Sequence, residues 1–216
     1  MSYSSFKSIS EICDRFNVTL EESTDLFSTI SPIEVSPLFQ QLLERNIPLA
    51  NAINTEKARS ELLIAPTLLE IRQMFNDEIG FFSGSEFNID PELDLNGYCD
   101  FILTASSELY EIRCPVITLV EAKNENIKGG LPQCMAEMIA AQRFNQRENI
   151  NRPIYGTVTT GMIWQFLRLE KDSGNTQKTQ RIALDRREYY IRDTGKLLGI
   201  LAHPFRQYWS DRVTEL

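Results

Sequence analysis

Two carboxylates and an amine, set in two short apolar runs, are the residues of this 216-residue chain whose types and spacing best suit chemistry. In Leu119-Val120-Glu121-Ala122-Lys123 an acid and an amine stand two positions apart. Alternate side chains of a strand share a face, so Glu121 and Lys123 point the same way while Ala122 points into the opposite layer. The preceding Val116-Ile117-Thr118-Leu119-Val120 reads as a buried strand. Charged groups at its end must pair, meet solvent or bind something. Gly97-Tyr98-Cys99-Asp100-Phe101-Ile102-Leu103 holds a lone aspartate among apolar neighbours, and antiparallel pairing of the two strands would bring Asp100 beside Glu121. Glu61, ahead of Ile64 and Leu68 on or beside the apolar stripe of a helix, needs a partner that a divalent cation would supply. These residues make a polar cluster competent to hold a metal ion. The alternative is a structural Glu121–Lys123 pair with Asp100 as a strand-end hydrogen-bond acceptor.

The elements that must position them follow from periodicity. Residues 1–50 read as short helices, 8–16 by the spacing of Ile9, Ile12 and Phe16, and another from Pro37 after an N-cap at Ser36. A longer helix spans about 54–75, with Ile64, Leu68, Ile71 and Phe75 as its stripe and a kink expected at Pro66. Strands are expected at 81–89, 95–105 and 116–122, then a helix opening at Gly129-Gly130-Leu131-Pro132 and running to about 145. Strands at 154–160, 162–169 and 181–184 and a helix over 194–208 complete the chain.

Composition narrows the classes. A 42% apolar share is that of a globular domain, and no apolar run approaches the roughly 20 residues that span a bilayer. The first residues lack the apolar core of a secretory signal, so a cytoplasmic location is expected. The four cysteines are scattered, which argues against a zinc knuckle and for reduced core thiols. One histidine, His203, excludes a multi-histidine metal site. The net charge of -8 divides unevenly: residues 1–120 carry 19 acidic and 7 basic side chains, residues 121–216 carry 11 and 15. The basic half could supply phosphate contacts, and bound cation would offset part of the acidity. Arg143, Arg147 and Arg152 could touch phosphate, and Tyr155 and Trp164 could stack on bases, although a solvated helix face and core packing are the commoner roles.

Glu61, Gly97-Tyr98-Cys99-Asp100, Val120-Glu121-Ala122-Lys123 and Gln133 resemble the signature of the PD-(D/E)XK nuclease superfamily, which has the restriction-endonuclease-like fold. Thr55-Glu56-Lys57-Ala58-Arg59-Ser60-Glu61 and Tyr155-Gly156-Thr157-Val158-Thr159-Thr160-Gly161 resemble a group of small members common in cyanobacteria. The likeness covers residues 50–170, including the order helix, three strands, helix, strand. It implies an α/β restriction-endonuclease-like domain over 51–216, with residues 1–50 as an N-terminal helical extension and extra C-terminal strands and helix. It departs from the pattern at Cys99-Asp100, where proline usually precedes the aspartate, and at Glu137, where one branch of the superfamily has tyrosine four residues after the glutamine.

The implied activity is Mg²⁺- or Mn²⁺-dependent hydrolysis of phosphodiester bonds in DNA. Asp100, Glu121 and the Ala122 carbonyl would hold the ion, which favours hard oxygen ligands. Glu61 would bind a second ion or a bound water, Lys123 would position or help deprotonate the attacking water, and Gln133 would contact phosphate or strand. The alternative is a nuclease-fold DNA-binding or regulatory module that makes no cuts. A homodimer would suit a centre that cuts one strand at a time, although no interface is visible in the sequence.

Overall fold

The computed structural model describes residues 2–23, 25–172, 174 and 179–214. A mixed sheet of eight strands is its frame, with helices on both faces. The strands are β1 (Val18–Ser23), β2 (Gly80–Glu86), β3 (Tyr98–Thr104), β4 (Val116–Ala122), β5 (Ile154–Thr159), β6 (Ile163–Leu169), β7 (Gln180–Asp185) and β8 (Tyr189–Tyr190). Their spatial order is β1-β7-β6-β5-β4-β3-β2, with β8 beside β6. Pairing is parallel for β1 with β7 and for β4 with β5, and antiparallel elsewhere.

The helices are α1 (Ile9–Phe16), α2 (Pro37–Ile53), α3 (Glu56–Arg59), α4 (Ala65–Met74), α5 (Ile127–Gln146) and α6 (Thr194–Thr214). On one face, α5 packs with α1 over Cys99, Ile102, Leu119, Val158 and Leu167. On the other, α2, α4 and α6 cover Phe101, Leu103, Val120, Ala122, Trp164 and Phe166. No described helix is long and apolar enough to cross a membrane. All four cysteines are free; Cys99 and Cys134 are buried, while Cys13 and Cys114 are only half-buried.

Two local features differ from the helical and strand patterns expected of the sequence. The reading of residues 1–50 as helices alone is corrected at β1, which lies at the edge of the sheet beside a strand some 160 residues further along the chain. Glu21 and Glu22, poor strand formers, face arginines there: Glu21 pairs with Arg181 at 2.9 Å and Glu22 with Arg186 at 3.0 Å. The helix expected over 54–75 is interrupted before Pro66 by a wide turn, Ser60–Ile64, of π-helical geometry between α3 and α4. Pro66 has no N–H to offer the Leu62 carbonyl. The buried Asn46 of α2 donates to that carbonyl instead, at 2.9 Å.

Strand β4 carries a bulge that sets the phase of the site. Thr104 pairs with Val116 while Leu103 pairs with Thr118, leaving Ile117 as the extra residue. Val116 and Leu119 thus both reach the α5 layer, and Ile117, Val120 and Ala122 the other. The phase leaves Glu121 on the α5 side.

Candidate active site

Phe101 of β3 stands opposite Val120 of β4, and Asp100 and Glu121 are the next residue along each strand. From there the strands are linked by a side chain: Asp100 Oδ2 accepts the Ala122 N–H at 2.7 Å. Asp100 is half-buried, whereas Glu121 is 1% exposed. The Lys123 ammonium donates to Glu121 Oε1, and the Lys123 N–H donates to the Thr159 carbonyl of β5 at 2.8 Å. Strand alternation therefore puts Glu121 and Lys123 on one face, with Ala122 in the opposite layer.

Helix α5 supplies the roof. Asn126 caps it, its side chain accepting the Gly129 N–H at 2.9 Å. A Cβ on Gly130 would lie 2.7 Å from Val158 Cγ1 and 3.1 Å from Lys123 Cγ and Cε, so glycine lets the first turn close over the lysine stem. One turn on, Gln133 Nε2 donates to Glu121 Oε2 at 2.9 Å and to Glu137 Oε1 at 3.1 Å. Glu137 is fully buried and its Oε2 has no hydrogen-bond partner.

Burial governs the electrostatics. It pushes the Glu121 carboxyl up to about 8, with the Asp100 charge adding to the rise and Lys123 opposing it. Burial also raises Glu137 well above the ordinary carboxylate range, with Glu121 as the next cause. Lys123 is pulled down by its own burial, but Glu121, Glu56 and Asp100 together hold it above its ordinary value. The lysine is thus an ammonium across the neutral range. The carboxylates around it outnumber the positive charge they share.

Glu61 is not brought to this cluster. Its side chain is 61% exposed and pairs with Lys57 at 3.1 Å. The turn at Ser60–Ile64 explains the difference: its wider winding slips the helical phase, so a wheel drawn back from Ile64 and Leu68 misplaces what precedes them. Glu56, in the first turn of α3, is the helical carboxylate whose charge reaches Glu121 and Lys123. Apolar periodicity does not single out Glu56, and the Thr55 cap, which accepts the Ala58 N–H at 3.1 Å, is the signal for where the turn begins. Glu137 carries no sequence signal beyond its departure from tyrosine.

The arginines considered for phosphate are engaged within the protein. Arg143 pairs with Asp90 at 2.6 Å, Arg147 donates to the Ile89 carbonyl, and Arg152 pairs with Asp211 at 2.8 Å. Trp164 is fully buried and Tyr155 nearly so, which makes both core residues.

Among the described residues, no three Asp, Glu, His or Cys side chains are grouped to hold a metal ion by themselves. Asp100, Glu121 and a backbone carbonyl still offer hard oxygen donors. Asp100 has a second oxygen beyond the one used on Ala122, and each Glu121 oxygen takes a single donor, leaving lone pairs. Glu121, buried beside Asp100 with its carboxyl raised, is where a bound cation would supply the missing positive charge. No protein-family model matches the chain, and no curated protein matches it.

Proposed function

We propose that the protein is a divalent-cation-dependent hydrolase of phosphodiester bonds in nucleic acid, DNA first, built on a restriction-endonuclease-like core. The observation that carries this reading is the meeting of Asp100, Glu121 and Lys123 at the ends of β3 and β4, with Glu121 raised by burial and by Asp100. An ordinary surface ion pair would have no such excess of buried carboxylate.

Asp100, Glu121 and the Ala122 carbonyl would hold Mg²⁺ or Mn²⁺. The ion would neutralise charge developing on the phosphate and make water more acidic. Asp100, through the Ala122 N–H, fixes the strand end that carries Glu121. Lys123 is already protonated, so it donates hydrogen bonds and offsets negative charge rather than acting as a base. Glu56 supplies the auxiliary negative charge expected of Glu61, from one helical turn earlier.

The test is incubation with single-stranded, duplex and branched DNA, and with RNA, in Mn²⁺ and Mg²⁺, beside Asp100→Ala and Lys123→Ala. Cleavage by the wild type that falls at least about 100-fold in each variant is expected, the scale of losing a group that stabilises charge in the transition state. Activity surviving both substitutions would belong to a contaminant and remove the assignment. Cation-independent binding of DNA with no cleavage would instead favour a silent nuclease-fold module.

A further inference from the structure

Gln133 has two amide hydrogens, and its nitrogen donates to two buried carboxylates, Glu121 Oε2 and Glu137 Oε1. Neither hydrogen remains for a phosphate oxygen. Gln133 Oε1 finds no donor among the described residues, yet it is not one of the buried unpartnered atoms, so that end of the half-buried amide reaches solvent. Where either carboxyl is ionised, turning the amide over would set Oε1 against its oxygens and forfeit that bond.

Glu137 is what holds this orientation. It stands one helical turn beyond Gln133 on α5, with no exposed surface of its own and no other hydrogen bond. A fully buried carboxyl with one oxygen unpartnered is costly to keep for packing alone. We infer that Glu137 is a positioning residue that locks the Gln133 amide, making Gln133 a hydrogen-bond acceptor toward the ligand rather than a phosphate donor. The group it receives is a donor, a nucleobase N–H or a sugar hydroxyl. The naming of that group rests on the hydrolase reading; the lock itself does not.

The lock is tested in the ion-free protein by hydrogen exchange of the Gln133 side-chain amide, identified by its loss in Gln133→Ala. Its hydrogens should exchange roughly tenfold more slowly than those of the exposed Gln41, the effect of one buried hydrogen bond. Glu137→Leu and, should that variant fail to fold, Glu137→Met should abolish the protection of the hydrogen that Glu137 accepts, leaving only that of the hydrogen bound to Glu121. Glu137→Gln, whose amide oxygen still accepts, should restore it. Exchange as fast as that of Gln41 in the wild type, or protection of both hydrogens that survives loss of the acceptor, would overturn the lock.

A second arm addresses the acceptor role, by titrating a fluorescent single-stranded DNA in Ca²⁺. Gln133→Lys should weaken binding about tenfold, because a donor replaces the acceptor. Tighter binding would mean that position 133 meets phosphate and would overturn the acceptor assignment. If no variant and no wild type binds the oligonucleotide, the hydrolase reading fails, while the exchange arm still decides the lock.

Discussion

Glu121 is where sequence and chemistry meet at the scale of single residues, and its proton is the most measurable property of the site. Folding raises its carboxyl from 4.5 to about 8, through burial first and Asp100 second. The folded state therefore binds this proton more tightly than the unfolded state. The stabilisation is fully present below the unfolded value and is lost as pH rises from 4.5 toward 8. Glu121→Gln cannot lose a proton there, so relative to wild type it should gain roughly 4 kcal/mol of stability between pH 5 and pH 9. Urea unfolding at the two values checks this; parallel pH profiles would contradict it. A divalent cation competes with the same proton. Mn²⁺ should raise the melting temperature of wild type at pH 8 more than at pH 5, and should raise that of Asp100→Ala little. The association of Glu121 with Lys123 was legible because strand alternation needs only local sequence. The Gln133–Glu137 contact was partly legible, since positions four apart on a helix are neighbours. That both would converge on Glu121 required the register of α5 on β4, which no local pattern encodes.

At the scale of elements, the strand–helix order from α3 to β5 could be read from the sequence, and the winding of one helix could not. Apolar periodicity placed the stripe Ile64, Leu68 and Ile71, all fully buried, yet Leu63 beside Ile64 is equally buried. The wide turn is easily missed when a single α-helical period is imposed. Pro66 indicated that a carbonyl would lose its partner but not that Asn46 would take it. Asn46→Ala therefore leaves the Leu62 carbonyl without its Nδ2 donor, and should cost about 1–3 kcal/mol in urea unfolding. Because the turn positions α3, the same variant should also reduce any nucleic-acid cleavage, without touching Asp100, Glu121 or Lys123. A second element-level dependence is the approach of α5 to β4. Gly130→Ala forces a methyl against Val158 and the Lys123 stem, and should destabilise by about 1–3 kcal/mol. Unchanged stability in Gly130→Ala would mean that α5 can shift freely.

For the whole molecule, the question is whether residues 1–50 are an appendage, as their helical periodicity suggested, or part of the frame. Strand β1 was hidden because its two consecutive glutamates depress strand propensity and its parallel partner lies far along the chain, where local reading sees no pairing. The contacts of the segment are distributed over both layers. Tyr3, Phe6 and Ile12 are buried on the α5 side, while Phe27, Phe39 and Leu43 are buried against α6 and the opposite face. Polar ties run the same way. The fully buried Asp185, at the end of β7, accepts the Phe27 N–H at 3.3 Å and the Tyr189 hydroxyl at 2.9 Å, and Lys196 of α6 donates to the carbonyls of Phe27, Ser28 and Ile30. Each large buried side chain contributes about 1.5–3 kcal/mol, so losing six of them exceeds or rivals the entire 5–15 kcal/mol margin typical of a domain. Removal of β1 would also bare the edge of β7, with Ile182 and Leu184 beside it, to pairing with other chains. A fragment of residues 51–216 should therefore fail to give a monodisperse, cooperatively unfolding species by size-exclusion chromatography and urea titration. Asp185→Ala in the full chain should keep the fold but lose about 2–4 kcal/mol, because two buried donors lose their acceptor. A 51–216 fragment that unfolds at the same urea midpoint as the full chain would show that the first 50 residues are separable after all.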